Sequence, residues 1–204
     1  MYTKKKYNEN IYIFIKSSNN DLFRKILNFR NIAIIYDGID PNEIVKIINF
    51  FKKYHIKIFI IDNFKLAIKF KLNGVVISHH NKRYNIFNQS LPNKKFEIIG
   101  KAHNQMEYYF KINQNCKNIF LSPLFKTKKY NEFKVLNIIR FNLMTINWRV
   151  QLLGLGGINI TNYKKLNMTK VRGFGFVSFI QDPKIKKDRK STRLNSSHVS
   201  ESRM

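Results

Sequence analysis

Eight apolar runs of four to six residues recur along this chain, at 11–15, 32–36, 57–61, 74–77, 96–99, 118–121, 150–154 and 173–178, with polar segments of helical spacing between them. Runs this short, apolar on successive rather than alternate residues, describe strands buried on both faces. Parallel strands need long crossovers between them, and helices supply these. Eight strands so connected predict an α/β fold of the (β/α)8 TIM barrel type, since a doubly wound open sheet more often stops at about five or six strands. No GxGxxG follows the first run, which argues against a dinucleotide site.

The clearest helix is expected over 41–54, with Asp40 as N-cap, Pro41 at the first helical position, and Ile44, Ile47, Ile48 and Phe51 recurring at intervals of three and four. Further helices are expected over 64–72, 103–115 and 159–166, the last started by Asn159 or Thr161, with shorter ones at 22–29 and within 133–144. The segment 82–95 shows little periodicity. With 204 residues and 44% hydrophobic content, one domain over 1–183 has core enough. Beyond Pro183 the Ser-rich KSTRLNSSHVSESRM can bury nothing, so 184–204 is expected to be a disordered tail foreign to the barrel. The helix that should cover the eighth strand is then missing, which predicts exposed apolar surface there.

Cys116 is the only cysteine, so a disulfide framework or thiolate metal cluster is excluded and a reducing, cytoplasmic setting is expected. A buried apolar role suits it better than that of a nucleophile. No apolar run reaches the roughly 18 residues of a membrane span. The formal charge of +26 invites a nucleic-acid reading, but it comes largely as single lysines on helix faces (Lys46, Lys52, Lys53, Lys69, Lys71, Lys164, Lys165) within a general Lys-Asn-Ile bias. Nucleic acid is therefore not the expected partner. Trp148, before the seventh strand, is expected to pack the barrel bottom.

Chemistry concentrates where strands end. Gly156-Gly157 closes the seventh strand, and Gly173 and Gly175 stud the eighth one helical segment later. Residues without Cβ let backbone N–H groups approach an anion, and a helix start aims its own N–H groups at the same point, so the pair of strand ends reads as a phosphate cradle. A tight turn and relief of crowding are the competing explanations. His79-His80 after the fourth strand is either a catalytic pair or a solvated one. Asp37 is placed to hold a cation, and His103 to cap a helix, contact substrate or face solvent.

Four segments together resemble the thiamine-phosphate synthase and thiazole tautomerase family. IIDNFKLAIKFKLNGVVI is similar to its third strand, helix and fourth strand; IIGKAHN to a fifth strand ending Gly-x-Ser-x-His; IFLSPLFKT to a sixth strand with a Gly-Pro-x-x-x-Thr loop; LGLGGI with GFGFVS to the seventh and eighth strands. The resemblance implies a barrel transferase, in which a hydroxymethylpyrimidine loses diphosphate with help from Mg²⁺ and the nitrogen of a thiazole phosphate captures it. Its partners would be these two phosphorylated small molecules. It further implies Asp62 as metal ligand, with Asn81 where a second Asp would stand; Thr127, Lys129 and His103 as catalytic contacts; and Gly156, Gly157, Val177 and Ser178 as the phosphate cradle.

The departures from the family pattern fall mainly on the diphosphate half. Its Arg and Lys at the end of the second strand correspond to Tyr36 and Gly38, Ile61 stands in place of an Asn, and Ala102 in place of the fifth-loop Ser. Lys129 and Tyr130 fall where a second Thr and a Lys belong, and Lys126, Lys128 and Lys129 offer a flexible cationic substitute. Pro123 stands where the tautomerase branch carries His, which favours the synthase side.

Overall fold

The structure is a computed structural model that describes residues 10–83, 95–127, 130, 134–159 and 161–176. Eight parallel strands close into a barrel in sequence order. They are β1 (Asn10–Ile15), β2 (Ile32–Tyr36), β3 (Lys57–Ile61), β4 (Gly74–Ile77), β5 (Glu97–Ala102), β6 (Asn118–Leu121), β7 (Gln151–Leu155) and β8 (Gly173–Phe176). The last strand pairs with the first, Tyr12 lying opposite Gly175 and Ile13 opposite Phe176. Among the described residues five α-helices surround the ring: α1 (Asn20–Ile26), α2 (Pro41–Phe51), α3 (Phe64–Lys69), α4 (Gln105–Asn113) and α5 (Asn137–Thr145). No described helix is long and apolar enough to cross a membrane.

Alternation along each strand divides the core in two. Tyr12, Phe14, Ala33, Ile35, Phe59, Val76, Ile99, Phe120, Leu153 and Leu155 meet inside the ring. Their strand neighbours point outward into a second cluster with the helices, to which α2 gives Ile44, Ile47 and Phe51 and α1 gives Phe23 and Ile26. Inside, Phe120 stands edge-on to Tyr12 at 5.2 Å and to Phe14 at 5.7 Å. Those rings explain β8. A Cβ on Gly175 would lie 2.7 Å from Leu155 Cδ1 and 2.9 Å from Phe14 Cε2, so a side chain there would have to displace the Leu155 tip and a ring of the packed interior. Relief of crowding thus accounts for Gly175, in place of the phosphate contact its position first implied.

Local signals in the sequence act as expected at α2. Asp40 Oδ1 accepts from Asn42 N–H at 2.8 Å, and Pro41 opens the helix. The helix continues as a 3-10 turn, Lys52–Tyr54, which ends at His55 in the left-handed region. All seven lysines assigned to helix faces are exposed. Two expectations change. The segment after β7 is a 3-10 helix, Tyr163–Met168, not an α-helix over 159–166. Asn159 folds back instead, its Oδ1 accepting from Thr161 N–H and Asn162 N–H, so the turn satisfies its own donors and no helix dipole is aimed at the strand end. Trp148 does not plug the barrel bottom; its ring stacks on Tyr108 of α4, 3.7 Å between centroids, in the outer layer. Flat stacking on an aromatic partner, with the ring only partly covered, suits an indole.

Phe120 anchors the interior, and a cavity left by its ring could not collapse without moving three strands. Phe120→Ala is expected to cost about 3–5 kcal/mol, seen as a lower urea midpoint at unchanged slope.

Candidate active site

Because every strand runs the same way, the residues that follow the strands gather on one rim. Around it stand Asp37 after β2, Asp62 after β3, Ser78 to Asn81 after β4, Lys101 to His103 at the end of β5, Ser122 to Thr127 after β6, and Gly156-Gly157 after β7.

Asp62 and Asn81 are brought together as expected. Asp62 has a positive φ of 51°, which turns its side chain across the end of β4. There Oδ1 accepts from Ser78 N–H and from the Asn81 amide, each at 3.0 Å. The Asn81 oxygen meanwhile accepts from Arg83 N–H at 3.2 Å. A hard divalent cation wants oxygen donors, ideally several of them charged. Asn81 directs N–H groups at the carboxylate, and no group of three or more His, Cys, Asp or Glu side chains among the described residues is arranged to hold a metal. As it stands the pair does not fit Mg²⁺, and its oxygen would face Asp62 only with the amide turned over and the Arg83 bond given up.

The loop that carries Asn81 is fixed from below by a residue that reads as an ordinary helix lysine. Lys111 of α4 is fully buried. It lies across Gly100, where a Cβ would come within 2.8 Å of Lys111 Cγ. Its ammonium donates to Ser78 O at 2.7 Å, Asn81 O at 2.7 Å and Gln114 Oε1 at 2.8 Å, so three N–H donors meet three acceptors. Gln114 adds bonds from its amide to Asn81 O and Arg83 O, both at 2.9 Å. Burial lowers the lysine's pKa, while Cys116, Asp62 and Glu107 act in the opposite direction. Beside it Cys116 is buried as expected, its thiol pushed up to about 12 chiefly by burial.

His103 faces the rim with one proton placed by geometry. Its Nδ1 lies 2.7 Å from Ser122 O, an atom that can only accept, so Nδ1 carries a proton and donates it there. Ser122 Oγ sits 3.1 Å from the same nitrogen. His103 N–H donates to Glu107 Oε2, while Asn104 Oδ1 caps α4 by accepting from Glu107 N–H at 2.9 Å. Counted from Gly100, the last position of Gly-x-Ser-x-His falls on this Asn104, and His103 stands one residue earlier. The His79 ring packs 3.6 Å from His80 and 4.3 Å from His103, edge-on to the latter. Burial lowers the His79 pKa first, and the neighbouring imidazoles lower it further.

Across the rim the β6 and β7 loops interlock. Gly156 and Gly157 have φ of 88° and 70°. A Cβ on Gly157 would sit 2.4 Å from Phe125 O and 2.5 Å from Lys126 O, so the loop carrying Thr127 closes onto bare backbone. Leu124 N–H donates to Leu155 O and Phe125 N–H to Gly156 O, which leaves the Gly156 and Gly157 N–H groups without an acceptor among the described residues. Thr127 Oγ1 accepts from Tyr130 N–H at 3.0 Å and retains its own proton to donate. Val177, Ser178 and Lys129 lie outside the described residues, as do Lys128 and the strand end beyond Phe176. Leu155 pairs with Gly175, so the ends of β7 and β8 are adjacent on the same rim.

The positions matched to the family's cations after the second strand are taken up by packing. Tyr36 turns outward and its hydroxyl donates to Asp40 O at 3.0 Å, and Gly38 is bare because a Cβ would meet the Tyr36 ring at 2.5 Å. The cation inside the mouth is one the sequence reading passed over. β5 runs on to Ala102, past the apolar run 96–99, and its two-residue period carries the inward phase from Ile99 to Lys101. Strand alternation alone would have found it. Lys111 and Gln114 had no such signal.

This is a closed (β/α)8 barrel with polar and charged groups collected on its C-terminal rim. The family description "Thiamine monophosphate synthase" matches residues 41–180, and the chain belongs to that family. No curated protein matches it by sequence. Among solved structures, thiamine phosphate pyrophosphorylase from Pyrococcus furiosus is 15% identical with a TM-score of 0.70, over 87% of this chain and 90% of that one. The corresponding enzyme from Bacteroides thetaiotaomicron is 16% identical with a TM-score of 0.55, over 83% of each chain. FabK from Thermotoga maritima, at 9% identity, reaches 0.60 over 84% of this chain and 59% of that one, so at such identities the likeness reports the barrel alone.

Lys111→Met keeps the packed stem and strands three acceptors. A loss of about 3 kcal/mol is expected in urea, with faster amide exchange confined to 78–83 if the lysine holds that loop.

Proposed function

We propose that the protein is a transferase of the thiamine-phosphate synthase type, joining hydroxymethylpyrimidine diphosphate to thiazole phosphate and releasing diphosphate. One observation carries the reading. A single mouth offers charged and hydrogen-bonding groups after the successive strands β3, β4 and β5, and unpaired backbone N–H groups with the Thr127 hydroxyl after β6 and β7. Two anionic substrates need two such places side by side.

In this reading the thiazole phosphate rests on the Gly156 and Gly157 amides, which stand ready for its oxygens at no cost in reorganisation. The bond between the pyrimidine methylene carbon and the diphosphate oxygen breaks with its electron pair going to oxygen. The thiazole nitrogen then gives its lone pair to that carbon. The new nitrogen is quaternary, so no proton has to be removed. His103, held through Nδ1 on Ser122 O, serves to position substrate and not as a base. Mg²⁺ bound with the diphosphate would neutralise the leaving charge. The turned Asn81 amide favours a second reading, a barrel that binds the thiazole phosphate without turnover.

Mixing both substrates with Mg²⁺ and measuring thiamine phosphate separates the two. With the transferase, Asp62→Ala, which releases Ser78 N–H and the Asn81 amide and so loosens the loop after β4, is expected to lower kcat/KM by about 100-fold while thiazole phosphate binding by calorimetry changes little. Gly157→Ala, strained at φ 70° and pressed against Phe125 O, is expected to weaken thiazole phosphate binding instead, by about tenfold or more. Thiazole phosphate binding with no product from the unaltered chain would leave only the non-catalytic reading.

A further inference from the structure

Two lysines of the β5–α4 unit are withdrawn from solvent, and they differ in one respect. Lys111 spends each of its three donors on a protein acceptor. Lys101 spends none: among the described residues its ammonium has neither a hydrogen bond nor a salt bridge, although it is half-buried on the inward face of β5. Its Nζ stands 5.3 Å over the Phe14 ring, directed across the mouth toward β1. Asp37 and Asp62 are close enough to act on its charge and oppose the lowering of its pKa by burial. A cation–π contact offsets only part of the desolvation of an ammonium. The inward neighbours Phe14, Ile61 and Leu155 are apolar, and an apolar side chain would fill the Lys101 position at lower cost.

We propose that Lys101 is a substrate-binding residue whose ammonium takes the oxygens of a diphosphate group entering the mouth between β2 and β5. The word diphosphate rests on the transferase reading; the unpaired cation does not. Asp37 and Asp62 favour the charged ammonium against burial without bonding to it, so its donors stay free for the ligand. Phosphate oxygens suit those donors better than water does because they carry charge. The two carboxylates also make a bare diphosphate unwelcome, so the ligand arrives with its own divalent counter-ion.

The test is calorimetric titration of the full chain with inorganic pyrophosphate in excess Mg²⁺, and separately with thiazole phosphate, for the unaltered protein, Lys101→Met and Lys101→Arg. The expected result is pyrophosphate binding at least tenfold weaker in Lys101→Met and partly restored in Lys101→Arg, with thiazole phosphate binding within about twofold throughout. Should Lys101→Met fail to fold, ¹³C-methylated lysines of the unaltered protein are followed by NMR, with Lys101→Arg giving the assignment. The Lys101 resonance should then shift and saturate with pyrophosphate. Unchanged pyrophosphate affinity in Lys101→Met, a Lys101 resonance indifferent to pyrophosphate, or an unaltered protein that does not bind pyrophosphate overturns the assignment. Lys101-dependent binding without any thiamine phosphate formed upholds the residue's role and ends the transferase reading. Undiminished synthesis in Lys101→Met does the reverse.

Discussion

The ring closes because β8 brings almost nothing into it. Tyr12, Phe14 and Phe120 fill the interior from β1 and β6, and the space they take is the space Gly175 leaves. A larger residue there would have to push the Leu155 tip and the Phe14 and Phe120 rings aside, and it is closure that brings the strand ends around a common mouth. The same exchange occurs outside β5, where Gly100 gives way to the Lys111 stem. Close packing, in which one side chain's volume is set by its neighbour's absence, thus lies behind both the barrel and the loop that supports Asp62.

Polar groups around the rim sort into two kinds. Some are fully engaged by the protein: Asp62 Oδ1 by two donors, Lys111 by three acceptors, His103 Nδ1 by a carbonyl. These fix geometry. Others lack a protein partner among the described residues: the Lys101 ammonium and the amides of Gly156 and Gly157. In a folded protein most such groups are met by the protein or by water, so these are the open donors of the rim. These three are donors and suit anionic oxygens, while the Asp37 carboxylate on the same rim is an acceptor that likewise has no hydrogen-bond partner among the described residues.

The strand pattern was legible because period and burial are written locally. All eight runs became strands, with ends shifted by a few residues at most among those described. The cap and first turn of α2 were equally legible, since Asp40 and Pro41 act within two residues of themselves. Of the candidate site, Asp62, Asn81, Thr127, His103 and the Gly156-Gly157 pair do stand on one rim. Their partners were not readable. The 3-10 turn after β7 was taken for an α-helix because Asn159 marks a helix start and a closed Asx turn with the same letters.

By itself the sequence determined a parallel, alternating architecture and the family, because apolar periodicity and short motifs depend only on neighbours along the chain. Tertiary structure decided which lysine is sealed, which is left unpaired at the mouth, and whether a glycine is taken up by packing or leaves its N–H open. Those outcomes depend on groups far apart in sequence, such as Lys111 and the carbonyl of Ser78, 33 residues away. Burial and hydrogen bonding are properties of the assembled neighbourhood, and identical letters in a row do not carry them.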